Sequence, residues 1–228
     1  MNKKWLCSGM LVLCTFLAGP RFASANVTQT LGQQHFADGA TVTTGAFLAA
    51  GAGGTAPFNG IFIGSDVTGP NFSASWTFSY GAVPVIAGAS LELGIYDHDS
   101  SAAGNQVASF TLNGIDLTAA LNTLFEAHGG ANAEYDVYTL TLPATTFAQL
   151  ATGTATVALA LQGPGLGILG STQFNGAALD FSTLNIATQV SPVPEPQSLA
   201  LFVAGFAVLI AVRRKVIGPA AANTASSF

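Results

Sequence analysis

Apolar and small polar residues alternate in short runs through the middle of the chain, and this period of two is typical of half-buried β-strands. In Phe72–Tyr80 the even positions are mostly large and the odd positions are small or hydroxylated. Leu91, Leu93 and Ile95 repeat the pattern, and turn residues separate the runs. Nine strands are therefore predicted: Val27–Phe36, Thr41–Leu48, Phe58–Ile63, Phe72–Tyr80, Ala89–Tyr96, Gln106–Leu112, Glu134–Leu142, Ala155–Leu161 and Ala177–Gln189.

Two segments between these runs have helical rather than strand periodicity. After Asp116 and Thr118, either of which can cap a helix, apolar residues recur at helical spacing as far as Phe125. Thr145 can cap one or two further turns that end by Leu150. Many short strands with two short helices predict an all-β fold, specifically a jelly-roll-like β-sandwich.

Charge is distributed unevenly along the chain, and this excludes one class of partner. None of the six Lys and Arg residues lies between residues 26 and 193. The same segment contains ten of the eleven acidic residues, so its formal charge is −10 with neutral histidines. Nucleic-acid binding requires cationic side chains that displace counterions from phosphates, and we therefore exclude it. Phosphate-rich cofactors would lack their usual Lys or Arg partner for the same reason.

The first 25 residues have the features of a secretory signal peptide. A basic start and a short apolar run are followed by small residues that provide a cleavage site between Ala25 and Asn26. We therefore expect signal peptidase to remove residues 1–25. Both cysteines, Cys7 and Cys14, lie in this segment, so the mature chain would contain no disulfide and no thiolate metal site.

The C-terminal region combines a rigid proline-rich stretch, an apolar segment and a basic cluster. The proline-rich motif consists of Val193, Pro194, Glu195 and Pro196. It is extended because proline fixes φ. Residues 198–212 are apolar and would form a helix about 22 Å long, which local thinning can match to a hydrocarbon core of about 30 Å. The basic cluster consists of Arg213, Arg214 and Lys215. Such a cluster holds its end of a transmembrane helix on the cytoplasmic side.

This order of elements resembles the PEP-CTERM sorting signal of exported bacterial proteins. The resemblance implies anchoring in the inner membrane, then cutting by an exosortase near the Pro-Glu-Pro, with a cell-surface or extracellular destination. It assigns no activity to the ectodomain. Four segments are thus predicted: a signal peptide at 1–25, a β-sandwich ectodomain at 26–190, a sorting segment at 191–215 with its transmembrane helix at 198–212, and a cytoplasmic tail at 216–228.

A calcium site is the one candidate for a cofactor. Asp97 and Asp99 follow a predicted strand and enter a loop, where alternate carboxylates can place several oxygens around Ca²⁺. A third carboxylate could come from Asp180, Glu92 or Asp116. The alternative is that these are acidic turn residues that accept hydrogen bonds from backbone N–H groups, because the EF-hand pattern is incomplete. Otherwise we expect no cofactor.

The other chemical signals in the sequence are weaker. His35, His98 and His128 are the only histidines, and they lack a local metal-ligand spacing although they could meet in the folded chain. The segment 165–170 matches G-x-G-x-x-G, but no amphipathic helix follows it, so a dinucleotide site is not expected. Trp76 and the four tyrosines could stack on sugar rings or could belong to the core. No pattern singles out catalytic residues, and we therefore expect no enzyme.

Three functions remain open at this point. The leading hypothesis is an exported cell-surface or matrix protein with a non-enzymatic structural or adhesive role in a polysaccharide biofilm. The second is a secreted carbohydrate-binding module, with or without calcium. The third is a glycan-processing enzyme with an unrecognised carboxylate pair. Expected partners are signal peptidase and exosortase as processing enzymes, the membrane through the C-terminal helix, and extracellular polysaccharide.

Overall fold

The described part of the chain contains eleven strands, and most of the alternating runs of the sequence are among them. The protein is represented by a computed structural model that describes residues 26–83, 85–98, 104–128, 133–163, 165–167, 170–172, 174–189 and 203–207. The strands are β1 (Asn26–Gly32), β2 (Ala40–Thr41), β3 (Ser73–Ser79), β4 (Ile86–Tyr96), β5 (Val107–Leu112), β6 (Ile115–Asp116), β7 (Glu134–Thr141), β8 (Thr154–Leu161), β9 (Gly165–Gly167), β10 (Gly170–Thr172) and β11 (Ala178–Thr188). The helices are α1 (Thr44–Gly51), α2 (Thr118–Ala127) and α3 (Phe147–Leu150), and a 3₁₀ turn at Ala144–Thr146 leads into α3.

Two antiparallel sheets contain most of these strands. Five strands form one sheet in the order β1-β11-β4-β7-β2, and four form the other in the order β3-β8-β5-β6. Strands β9 and β10 pair separately. The prediction of a mostly β, sandwich-type architecture is confirmed at this level, and the jelly-roll order stays a prediction.

The main core contains side chains from both large sheets. Buried and exposed residues alternate along β3 and β8, as the period of two predicted. Leu91, Leu93 and Ile95 of β4 share this core with Phe78 and Phe110 of the four-stranded sheet. Each of these five residues is at most 2% exposed. Removal of their apolar surface from water is the main favourable contribution to folding.

A second, smaller apolar cluster lies on the other face of the five-stranded sheet. Phe47 of α1 stacks on Tyr96 of β4 with ring centroids 4.5 Å apart, and Tyr135 of β7 and Phe181 of β11 belong to the same cluster. The Tyr96 hydroxyl donates a hydrogen bond to the Val42 carbonyl at 3.0 Å. These contacts hold the segment that contains β2 and α1 against the sheet, and this segment contributes a residue to the candidate site.

The strand predicted at Thr41–Leu48 is wrong after its first residue, because α1 begins at Thr44. The Thr43 hydroxyl accepts a hydrogen bond from Ala46 N at 3.2 Å and so caps the helix, as a threonine at this position commonly does. Short apolar runs fit either periodicity, and here the packing of Phe47 on the sheet decides.

The strand predicted at Phe58–Ile63 is also wrong. This segment consists of bends and irregular backbone, with a single antiparallel bridge between Ile63 and Ala177. Gly60 has a φ of +71°, a left-handed conformation that interrupts an extended strand. Phe58 still contributes its side chain to the main core.

Both predicted helices are present. Asp116 Oδ1 accepts hydrogen bonds from the Thr118 amide at 2.9 Å and the Thr118 hydroxyl at 2.6 Å, which anchors the first turn of α2. The turn predicted after Thr145 corresponds to the 3₁₀ turn and α3.

The chain divides into two units, Ser24–Val190 and the combination of Met1–Ala23 with Ser191–Phe228. In the second unit residues 203–207 are described, and they are helical. They belong to the predicted transmembrane helix 198–212, the rest of which lies outside the described residues, as do the predicted signal peptide and cytoplasmic tail. No helix among the described residues has the length and apolar character needed to cross a membrane.

Candidate functional site

Asp38 lies close to His128 and Asp136, which follow it by 90 or more positions in the chain, at the edge of the five-stranded sheet. His128 Nε2 lies 3.1 Å from Asp38 Oδ1 and 3.7 Å from Asp136 Oδ1. One potential ligand atom from each of the three residues lies within 4.8 Å of the other two. We refer to Asp38, His128 and Asp136 as the edge cluster.

Strand pairing positions Asp38 in this cluster. Strand β2 pairs with the start of β7, and just before β2 Gly39 N donates to Tyr135 O at 2.9 Å. The Asp38 carboxylate then accepts a hydrogen bond from Val137 N at 2.8 Å, so that it continues the ladder beyond the end of β2. This bond fixes the carboxylate at the sheet edge.

His128 reaches the cluster from the end of α2. Its backbone N–H donates to Leu124 O at 3.0 Å, which is the last bond of the helix, and its carbonyl accepts a hydrogen bond from the Tyr138 hydroxyl at 3.2 Å. The imidazole is 46% exposed and Asp38 is 48% exposed, so both side chains are open to solvent.

Asp136 forms the buried base of the cluster. It lies on β7, and its side chain is 1% exposed. Neither carboxylate oxygen makes a hydrogen bond within the described part of the chain. Two imidazoles lie beside it: His98 Nε2 is 3.3 Å from Oδ2, and His128 Nε2 is 3.7 Å from Oδ1.

His98 supports Asp136 from the interior. It is 2% exposed, and the centroid of its ring lies 4.3 Å from the ring centroid of Phe125 in α2. Its Nε2 is 2.9 Å from the Tyr138 hydroxyl, and its Nδ1 is 3.3 Å from Gln106 Oε1. These contacts fix the orientation of the ring beside the Asp136 carboxylate.

The edge cluster combines one nitrogen donor with two carboxylates, which is a donor set that can hold a metal ion. The sequence analysis left open whether the histidines meet, and the structure places two of them, His98 and His128, beside the same carboxylate of Asp136. Asp38 and Asp136 were not identified as candidates, because the local sequence around them has no metal-ligand spacing.

The third histidine forms a separate pair with Asp180. His35 Nδ1 lies 2.6 Å from Asp180 Oδ1, and His35 N donates to Asp180 Oδ2 at 2.8 Å. Asp180 occupies the irregularity in the β11–β4 register between Leu179 and Phe181. A bulge of this kind redirects a side chain, and the Asp180 side chain is 2% exposed beside His35.

The charge of Asp180 also acts on the hydroxyl group of Tyr135. Burial raises the pKa of the Tyr135 hydroxyl well above its usual value, and the negative charge of Asp180 raises it further. Tyr135 therefore stays a neutral phenol over the physiological pH range.

Two of the three residues proposed for a calcium site are described, and each has its own hydrogen-bond partner. Asp97, with a φ of +53°, accepts a hydrogen bond from Ala133 N at 2.6 Å. Asp180 pairs with His35, and Asp99 lies outside the described residues. The calcium prediction is thus untested and stays a prediction.

The aromatic residues considered for sugar stacking lie mostly inside the protein. Trp76 is 5% exposed, and Tyr96, Tyr135 and Tyr138 are at most 3% exposed. Tyr80 is partly buried and donates a hydrogen bond to a carbonyl of α3. These residues pack in the two apolar clusters, which matches the core alternative.

Comparison with known families bears on the C-terminal prediction. Residues 192–215 match the PEP-CTERM protein-sorting motif. The matched segment contains the whole predicted motif at 193–196 and the basic cluster at 213–215. No curated protein matches the chain. The prediction of this sorting signal is thus confirmed, whereas the predicted cleavage between Ala25 and Asn26 stays a prediction.

Proposed function

We propose that this exported PEP-CTERM protein, which an exosortase sorts, has a non-enzymatic structural or adhesive role in the polysaccharide matrix at the cell surface. The observation that supports the proposal is the sorting motif at 192–215, which follows the last strand of the sandwich after only a few residues. In this arrangement the sandwich is the delivered part, and the C-terminal segment is the substrate of the processing enzyme.

The proposed route has three steps. Signal peptidase removes residues 1–25, and the apolar helix 198–212 then holds the chain in the inner membrane with Arg213–Lys215 on the cytoplasmic side. Exosortase cuts near Pro194–Pro196 and releases the sandwich or attaches it to the cell surface.

Two features favour a structural role over a sugar-binding site. Among the described residues, Trp76 and the four tyrosines lie in or against the cores, so they do not provide a stacking platform for sugar rings. The sandwich segment also carries ten carboxylates and no Lys or Arg. The carboxylates that reach the surface, unlike the buried Asp136 and Asp180, suit contacts with polysaccharide that are bridged by divalent cations, for which Ca²⁺ is the first candidate.

The sorting step can be tested in native cells with a triple substitution. We expect Pro194→Ala, Glu195→Ala and Pro196→Ala together to leave full-length chain in the inner membrane, because the exosortase loses its recognition sequence. Ser191→Ala, a substitution just before the matched segment, is the control and should leave processing unchanged. Fractionation followed by mass spectrometry of the C-terminus gives the readout, and normal release of the triple variant would contradict the sorting step.

The structural role is tested by comparing a strain that lacks the protein with one that is complemented by the full chain. We expect the deletion to reduce the polysaccharide retained by sedimented cells and complementation to restore it. Purified protein should generate no new reducing ends from the same polysaccharide. Release of reducing ends that disappears in Asp97→Asn or Asp180→Asn would instead indicate a glycan-processing enzyme.

Glycan-array binding with and without EDTA separates the proposal from its nearest alternative. Recognition of a defined glycan would indicate a carbohydrate-binding module, and loss of that binding with EDTA would make it cation-dependent. The structural proposal expects no selective glycan recognition in either condition.

A further inference from the structure

We propose that the edge cluster of Asp38, His128 and Asp136 is a binding site for a divalent transition-metal ion, with Zn²⁺ as the best fit. The site is independent of the sorting signal and of the predicted calcium residues.

The spacing of the donor atoms fits a single ion. Zinc binds nitrogen and oxygen ligands at about 2.0–2.1 Å, so two ligands in a tetrahedral arrangement are about 3.3 Å apart. The distances from His128 Nε2 to the two aspartates are 3.1 and 3.7 Å. The Asp38 and Asp136 oxygens lie within 4.8 Å of each other, so bringing them to about 3.3 Å requires a shift of up to about 1.5 Å.

The buried carboxylate of Asp136 supplies a second and independent indication. A carboxylate that is removed from water needs hydrogen bonds or a positive partner. Its oxygens make no hydrogen bond in the described part of the chain, and residues 26–193 contain no Lys or Arg. Within this unit the positive partner is then an imidazole, since His98 and His128 both lie beside Asp136, or a cation that Asp38, His128 and Asp136 bind together.

The donor types favour zinc over calcium. Calcium takes six to eight oxygen ligands, whereas the edge cluster presents an imidazole nitrogen with two carboxylates. Imidazole and carboxylate together suit Zn²⁺ and its transition-metal neighbours. Because Asp38 and His128 are half exposed, an ion can enter from solvent and keep water at its remaining positions.

Each ligand is held by a neighbour that does not bind the ion. The Val137 amide fixes the Asp38 carboxylate, and the Tyr138 hydroxyl fixes the His128 backbone. His98 lies against the Asp136 oxygen that is turned away from His128. Supporting contacts of this kind orient metal ligands and lower the cost of organising the site.

The test is zinc binding to the full chain, purified without an oligohistidine tag and with Cys7→Ser and Cys14→Ser to remove the only thiols. Isothermal titration with Zn²⁺ should show one equivalent bound, and the ion should raise the unfolding temperature relative to EDTA. Loss of a residue that merely supports a ligand weakens metal binding by about 10–100-fold. Loss of a ligand itself should weaken zinc binding by at least about 100-fold, and this is expected for each of Asp38→Asn, His128→Gln and Asp136→Asn.

The chain provides a matched control in its other histidine–aspartate pair. His35→Gln should change the zinc affinity by less than about twofold. Asp38 and His128 are half exposed, so their variants should fold even if Asp136→Asn does not, and thermal unfolding in EDTA verifies this. Absence of binding at one equivalent, or binding that survives Asp38→Asn and His128→Gln, would overturn the proposal. Tighter binding of Ca²⁺ than of Zn²⁺ would also overturn it.

Discussion

Asn122 joins helix α2 to strand β5 through a buried side chain, and its removal provides a quantitative test of the fold. Its Oδ1 accepts hydrogen bonds from Gln106 N at 3.0 Å and Val107 N at 2.9 Å, and its Nδ2 donates to Val107 O at 3.2 Å. Asn122→Ala removes all three bonds at once. At about 1 kcal/mol for each bond, the free energy of unfolding should fall by about 3 kcal/mol.

Urea denaturation followed by Trp76 fluorescence measures this loss, with Trp5→Phe in every variant to leave one reporter. For a typical m-value of about 2 kcal/mol/M, the midpoint should fall by about 1.5 M. Thr123→Ala is the control, because this exposed neighbour donates its hydroxyl to Ala119 O of its own helix, and its loss should lower the free energy of unfolding by about 0.5 kcal/mol or less. A midpoint shift below about 0.5 M for Asn122→Ala would refute the role assigned to this side chain.

Three further predictions concern packing and pH. Gly94→Ala should lower the free energy of unfolding by about 2 kcal/mol, because the added methyl group would meet two buried aromatic side chains. Gly88→Ala places its methyl group in open space and should lower it far less. Equal urea midpoints for the two variants would contradict this. Burial raises the pKa of Asp66 above its usual value, so its charge opposes folding at pH 7 and the stability present at low pH is lost as pH rises through the folded pKa. Asp66→Asn should therefore stabilise the protein at pH 7 and lose that advantage near pH 3, and a constant difference in unfolding temperature would refute the assignment. Burial raises the pKa of Tyr80 to about 12, so its contribution to stability is lost between about pH 10 and 12. Tyr80→Phe should lower the free energy of unfolding by about 1 kcal/mol at pH 7 through loss of the bond to Leu150 O. Above pH 10 the variant should lose less stability than the unsubstituted protein does. An equal loss of stability in both proteins would contradict this.

Local periodicity was sufficient to predict the strands whose one face is buried. Phe72–Tyr80 and the run with Leu91, Leu93 and Ile95 form β3 and part of β4, because alternation in the sequence corresponds directly to alternation across a sheet. Helix α2 was predictable for a similar reason, since its apolar spacing and the hydrogen bond between Asp116 and Thr118 at its start are both local, although its N-cap is Leu117 without a side-chain bond.

Where local signals were ambiguous, contacts made by distant residues determined the conformation. The apolar residues of Thr41–Leu48 fit the period of a strand as well as that of a helix. The segment is a helix because Phe47 packs on Tyr96, about fifty positions away in the chain. Asp180 was a candidate calcium ligand in the sequence, but an irregularity in strand pairing places it beside His35.

The edge cluster could not be predicted from the sequence. Asp38 and His128 are 90 positions apart, and Asp38 and Val137 are 99 apart. Only the pairing of β2 with β7 and the position of α2 bring these groups together, and no short-range pattern in the sequence encodes that proximity.

By itself the sequence determined the sorting signal, the acidic character of the sandwich segment and the mainly β composition. The sorting signal is a linear motif that is recognised in its own residue order, charge is additive over residues, and strand periodicity is local. Only the tertiary structure decided which carboxylates meet which imidazoles, because that depends on register and packing between elements far apart in the chain.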